Sequence, residues 1–175
     1  MRYHNIITDD MLNGPGLRTV LFVSGCDHHC KGCQNPITWN PESGLIFDSN
    51  AFEELMTNLN KEYIGGITLS GGDPLHIKNV KDISDLCYSI RGRFGNKKSI
   101  WLYTGYTREQ ILNNPEIWGD EYVYVQKIYN SIDGLVDGEF IEGEKDISAE
   151  WRGSINQRVY ISELPYVKNN PGVFL

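Results

Sequence analysis

The chain lacks the marks of export and of membrane insertion. Its amino terminus, Met1-Arg2-Tyr3-His4-Asn5, has no basic region leading into a long apolar run, and no window of about eighteen apolar residues occurs anywhere. A soluble, cytoplasmic protein is expected. Cysteine is scarce, 4 in 175 residues, and three of the four are clustered, unlike the spread pairs of a secreted disulfide framework. A reducing compartment and a metal site fit that usage better. Positive charge is outnumbered, 16 Lys and Arg against 23 Asp and Glu, and the net charge of -7 argues against a nucleic-acid binder. The one dense basic group, Arg91, Arg93, Lys97 and Lys98, reads as a solvated helix end. Repeats, low-complexity stretches and interdomain linkers are absent, so with 40% apolar content one domain over residues 1–175 is expected, its core at about 17–157 and a tail at 158–175.

What is present alternates strands with helices. Asn13-Gly14-Pro15-Gly16 is a turn that delivers the chain into a strand over Thr19 to Val23. After an irregular passage with Pro36, Pro41 and Gly44, Asn50 and Glu53 form a capping box for a helix bearing Phe52, Leu55, Met56, Leu59 and Tyr63, which Gly65-Gly66 stops. Ile67-Thr68-Leu69 is a buried strand running into Ser70-Gly71-Gly72-Asp73-Pro74. A helix from about Asn79 to Phe94 follows, with Cys87 on its apolar stripe as a core thiol. Ser99 to Tyr103 is the next strand. Thr107 and Gln110 cap a short helix that Asn114-Pro115 breaks, and helix at Tyr122 to Ile128 leads to a strand at Gly134-Leu135-Val136. This order predicts an α/β fold with a mostly parallel sheet and right-handed crossovers. Four visible strands are too few for a closed eight-stranded barrel, so an open, incomplete TIM-type barrel is expected. The polar loops after Val23, Leu69, Tyr103 and Val136 then open on one rim, where such folds place their chemistry.

The loop Ser24-Gly25-Cys26-Asp27-His28-His29-Cys30-Lys31-Gly32-Cys33 holds the three clustered cysteines. Its residues leave three occupants open. Structural zinc takes four protein ligands, which His28 or His29 would have to complete from inside the same tight loop. Cys30-Lys31-Gly32-Cys33 is a redox-type C-x-x-C pair, for which Cys26 is surplus. An iron-sulfur cubane takes one thiolate per iron, so three cysteines leave one iron open to a substrate.

Here the residues resemble a known family. C-x-x-x-C-x-x-C after the first strand, together with Gly71-Gly72-Asp73-Pro74 after the second, is similar to the signature of the radical S-adenosylmethionine superfamily. The likeness extends over nearly the whole chain to the glycyl-radical-enzyme activase branch that serves anaerobic ribonucleotide reductase. Its further pieces are Asn13-Gly14-Pro15-Gly16, Leu21 to Cys26, Thr38-Trp39, Leu69 to Leu75, Ile100 to Tyr106, Leu135-Val136-Asp137-Gly138, and Trp151-Arg152-Gly153-Ser154 with Asn156-Gln157.

The resemblance implies a 4Fe-4S cluster held by Cys26, Cys30 and Cys33, with S-adenosylmethionine on the open iron. It also implies Gly71, Gly72 and Asp73 at the cofactor's methionine end, Thr104 and Asp137 near the cofactor or a cation, and Arg152 on a carboxylate. The reaction implied is transfer of a radical to a glycine of the large reductase subunit, with an electron donor such as flavodoxin. A different activase, or a small radical enzyme acting on a metabolite, is the alternative within the superfamily. A zinc-binding interaction module is the one outside it. Three residues depart from the branch's pattern: Gln34 stands where tyrosine is common, Glu139 where lysine is usual, and Gly32 where an aromatic is frequent.

Overall fold

The computed structural model describes residues 1–162. Along the chain these form β1 (Arg2–Asp10), β2 (Arg18–Val23), β3 (Leu45–Ile46), α1 (Ser49–Leu59), β4 (Gly66–Gly71), α2 (Val80–Phe94), β5 (Ser99–Tyr103), α3 (Arg108–Asn113), α4 (Tyr122–Tyr129), β6 (Gly134–Asp137) and β7 (Arg158–Ile161). One open sheet has the order β3-β1-β2-β4-β5-β6-β7. β2, β4, β5 and β6 run parallel at its centre, while β1, β3 and β7 pair antiparallel at the margins. The centre is the α/β arrangement expected of the alternating pattern.

Burial explains which strands the sequence revealed. β2, β4, β5 and β6 are enclosed on both faces and read as continuous apolar runs. β1 alternates half-buried and exposed residues in RYHNIITDD, and β3 is two exposed residues long. Neither has an apolar run, so the expectation of four strands missed them. It missed β7 as well, whose RVYI lies in the polar stretch after Ile141.

By strand alternation, one sheet face carries Leu21, Val23, Ile67, Leu69, Ile100, Leu102 and Leu135. These join Leu55, Met56 and Leu59 of α1, Val80, Ile83, Leu86, Cys87 and Ile90 of α2, and Val125 and Ile128 of α4 in the hydrophobic core. The opposite face carries Arg18, Thr68, Ser99 and Trp101 and is covered by loops. Arg18 is fully buried, donating to Pro15 O, Ser99 Oγ and Ile67 O, with its guanidinium 5.6 Å from the Trp101 ring centre. Trp151 packs edge-on against Trp101 at 5.1 Å.

Several local expectations change. Asp48, not Asn50, caps α1, its Oδ1 accepting from the amides of Asn50 and Ala51. The helix ends at Leu59, with Asn60 as its C-cap, six residues before the glycines expected to stop it, and Tyr63 stands exposed beyond it. Gly66 instead opens β4, where a Cβ would lie 2.0 Å from Ser99 O. The basic group is not simply solvated. Arg91 donates to Ser131 O, Lys98 O and Asp133, and the buried Lys98 ammonium donates to Lys61 O and Ile64 O. The capping box at Thr107 and Gln110 is formed as expected. Among the described residues no helix is long and apolar enough to cross a membrane. Of the tail, Arg158–Ile161 forms β7, while Pro165, Tyr166, Pro171 and Phe174 lie outside the described residues.

Candidate metal centre and cofactor rim

Register builds the site. Val23, the last residue of β2, pairs with Gly71, the last of β4, while Tyr103 closing β5 pairs with Val136 near the end of β6. Four loops therefore leave the parallel strands on one rim. The first is the cysteine loop, and the second, Gly72-Asp73-Pro74, is stitched to it. Gly72 N donates to Val23 O at 2.8 Å and Asp73 N to Gly25 O at 2.6 Å. The two glycines permit that contact. Gly71 holds φ +107, and a Cβ there would lie 2.5 Å from Val23 N; one on Gly72 would lie 2.5 Å from Gly25 O. The pair expected to let backbone approach a ligand also lets two loops of the protein approach each other.

The cysteine loop is fixed from behind by Thr38 and Trp39, whose carbonyls accept from Gly25 N and Cys26 N at 2.7 and 3.0 Å. Positive φ at Gly25, His29 and Gly32 turns the loop back on itself. Cys26, Cys30 and Cys33 are free thiols, each half-buried, whereas Cys87 is fully buried in the core as expected. Burial, with the Asp73 carboxylate adding to it, pushes the Cys26 thiol up to about 12. Burial also raises Cys30. Binding iron as thiolates therefore releases protons.

The donor set suits a cluster better than a lone ion. Both ring nitrogens of His28 are taken, by Asp73 and Glu139, so this ring is not free to complete three thiolates around one zinc. A structural zinc needs its ligands around one point. A cubane gives each thiolate its own iron and sets its ligands wider apart. Beside the loop, 4.8 Å from the His29 ring, Trp39 has its Nε1 buried without a partner among the described residues. Three thiols on one folded-back loop fit a 4Fe-4S group.

Asp73 is buried and its carboxylate is crowded with donors. Oδ1 accepts from Leu75 N at 2.8 Å, and Oδ2 from Thr104 Oγ1 at 2.9 Å and Gly105 N at 3.0 Å, with His28 Nε2 at 3.0 Å. Thr104 is thus joined to the rim through Asp73. Asn79, at the start of α2, adds Nδ2 bonds to Ser24 O and Asp73 O. His28 escaped the sequence reading except as a possible zinc ligand. Its Nδ1 lies 3.1 Å from Glu139 Oε1, so the residue that departs from the family's lysine has a partner in the cysteine loop. Burial by itself lowers the His28 pKa, but the carboxylates of Asp73 and then Glu139 outweigh it and hold the ring above its ordinary value.

The later residues lie in other networks. Asp137 is buried with both oxygens engaged, Oδ2 by Arg108 N and Arg158 Nη2, each at 2.6 Å, and Oδ1 by Arg158 Nε at 3.1 Å. Arg152 donates from Nη1 to Gln157 O at 2.9 Å, and its buried Nε has no partner among the described residues. Gln157 in turn binds Gly153 N, Ser154 N and Gly138 O, so Trp151 to Gln157 forms a self-bonded loop fastened to the exit of β6. Arg158 is a residue the sequence did not single out. Nothing in an arginine within a polar tail marks it as a partner of Asp137.

A parallel sheet whose rim holds three thiols on one loop defines an iron-sulfur protein, and the matching family model, described as "4Fe-4S single cluster domain", spans residues 12–160. Curated relatives are more particular. An anaerobic ribonucleoside-triphosphate reductase-activating protein of Enterobacteria phage T4 is 41% identical over 162 residues, 91% of this chain and 94% of the relative. Proteins of the same description from Salmonella typhi and Escherichia coli K12 are each 43% identical over 91% of this chain and 98% of their own. The chain belongs to the family of anaerobic ribonucleoside-triphosphate reductase-activating proteins.

Proposed function

We propose that this protein is the activase of an anaerobic ribonucleotide reductase, working as a single domain over residues 1–175 built on an incomplete radical S-adenosylmethionine barrel. Cys26, Cys30 and Cys33 hold a 4Fe-4S cluster, and S-adenosylmethionine takes the iron they leave open. Bound together, these groups supply reductive cleavage of the sulfonium and removal of hydrogen from a glycine of the large reductase subunit. The protein binds, orients and excludes water. Gly71 and Gly72 carry backbone close to the cysteine loop, where carbonyl acceptors suit a cofactor's ammonium group. Asp73 and Thr104 hold that backbone in place. Asp137 ties β6 to β7 at the rim, and Arg152, whose Nε has no partner among the described residues, is the candidate for a carboxylate. A small acidic electron carrier of the flavodoxin kind supplies the electron.

The observation that carries this reading is the stitching of the cysteine loop to Gly72 and Asp73 through Val23 O and Gly25 O. Three half-buried thiols and a glycine-lined backbone edge thereby lie side by side on the rim. Anaerobic reconstitution with iron and sulfide tests the first half. Absorbance of a cluster is expected in the wild type and in Cys87→Ala, and is lost in Cys26→Ala, Cys30→Ala and Cys33→Ala. The second half is tested by mixing reduced protein, S-adenosylmethionine and a candidate reductase and recording the electron paramagnetic resonance spectrum. A glycyl doublet is expected, and its absence with every candidate reductase sinks the activase reading. A single bound zinc in a colourless protein would point to an interaction module instead.

A further inference from the structure

His28 lies between two cysteines of the cysteine loop, yet its ring reaches across to other loops of the rim. Nε2 is 3.0 Å from Asp73 Oδ2, in the loop after β4. Nδ1 is 3.1 Å from Glu139 Oε1, in the loop after β6. The ring packs edge-on against Tyr106 with centroids 4.5 Å apart, and it lies over Gly105, where a Cβ would collide with Cδ2. Both of those residues belong to the loop after β5. One imidazole thus touches all three loops that face the cysteine loop, and its side chain is only 10% exposed.

Asp73 shows what these contacts accomplish. Its carboxylate is the meeting point of Leu75 N, Thr104 Oγ1, Gly105 N and His28, so its oxygens are spent inside the protein. Besides the ring, the cysteine loop meets the loop after β4 through the backbone bonds at Val23 and Gly25, the Asn79 amide on Ser24 O, and the exposed Asp27 carboxylate 3.3 Å from His76 Nε2; of these only the Asp27 contact lies after Cys26. Cys30 and Cys33 come after His28. Beyond His28, Lys31 also pairs with Glu142 at 3.4 Å, but both of those side chains are exposed, so this ring is the buried side-chain link between the part of the loop holding two of the three thiols and the opposite side of the rim.

We propose that His28 is a positioning residue that sets the separation between the cysteine loop and the Gly71-Gly72-Asp73 turn. With the ring in place, the cluster that the cysteines would hold and the methionine end that the turn would hold are kept in register by the protein's own contacts. The proposal rests on the reading of the site as a cluster and S-adenosylmethionine pocket. Residues that orient ligands from behind characteristically change affinity by 10–100-fold when removed.

The test uses the full chain reconstituted with iron and sulfide. For His28→Ala, about four irons per chain are expected, as in the wild type. The dissociation constant for S-adenosylmethionine is expected to rise about tenfold. The cofactor-induced change in the reduced cluster's paramagnetic resonance spectrum should shrink, and the cluster's midpoint potential should move. His28→Gln keeps an amide donor for Asp73 but no ring to pack on Gly105, and should fall between the two. Alanine and wild-type proteins with equal cofactor affinity, spectrum and potential overturn the proposal. If His28→Ala assembles no cluster, His28→Gln decides: intermediate affinity supports the proposal and wild-type affinity overturns it. A wild type that assembles the cluster and yet gives no spectral response to S-adenosylmethionine defeats the underlying reading, and this proposal with it.

Discussion

At the residue scale the site depends on close approach as much as on ligating atoms. Gly71 combines a positive φ with a neighbour 2.5 Å from any added Cβ, whereas at Gly16, with φ +70, an added Cβ meets nothing within 4 Å among the described residues. The two positions separate strain from collision. Gly16→Ala is expected to cost about 1 kcal/mol, the strain of a left-handed alanine alone. Gly71→Ala should cost about 3 kcal/mol or more, since β2 and β4 must part as well. Urea unfolding of the apo chains measures both, and equal losses would show that the close approach carries no weight. Cys26 makes the same point about surroundings. The spacing marked its sulfur as a ligand, but only the fold shows that burial and Asp73 keep the thiol protonated until a metal takes it.

At the element scale, helix starts were legible where the cap lies beside the apolar pattern and illegible where two acceptors compete. Thr107 and Gln110 make the expected box. For α1 both Asp48 and Asn50 are good caps by type, and only backbone geometry chooses: Asp48 is extended, with its carboxylate turned to the amides of Asn50 and Ala51. Asp48→Ala is expected to lower stability by about 1 kcal/mol. The exposed Asn50→Ala should stay within about 0.5 kcal/mol of the wild type. Thermal melts of the two variants check this, and the reverse order would restore Asn50 as the cap. The strands divide in the same way. β2, β4, β5 and β6, enclosed on both faces, announce themselves as apolar runs, while β1, β3 and β7 sit at the margins with mixed sequences that resemble loops.

At the scale of the whole molecule, Arg158 adds a side-chain tie to the backbone ladder that joins β7 to β6. Its guanidinium reaches Asp137 of β6 and Glu109 of α3, fastening β7, β6 and α3 together. The hydrogen bond from Arg158 holds the exposed Glu109 carboxyl at about 2, below its ordinary 4.5. A carboxyl lowered in the folded chain adds stability above its unfolded value and loses it as pH falls toward the folded one. Wild type is therefore expected to exceed Glu109→Gln in urea midpoint at about pH 6, with the gap closing as pH drops from about 4.5 toward 2. Because Glu109 faces solvent, the gap should be small and should narrow with added salt. A gap that widens in acid would exclude this pairing.

The rim itself was readable from the chain. Cysteine spacing, the Gly-Gly-Asp-Pro turn and the alternation of strands with helices are local patterns, each set by residues near one another in sequence, and together they placed Cys26, Cys30, Cys33, Gly71, Gly72, Asp73 and Thr104 on one edge of a parallel sheet. What only the tertiary structure decided are the partnerships across long separations: His28 with Asp73 and Glu139, Asp137 with Arg158, Arg18 with Ser99, and the antiparallel margins that leave the sheet open. Such pairs depend on register and on where each chain segment crosses the sheet. A side chain's type states what it can bind, and the fold alone states what it meets.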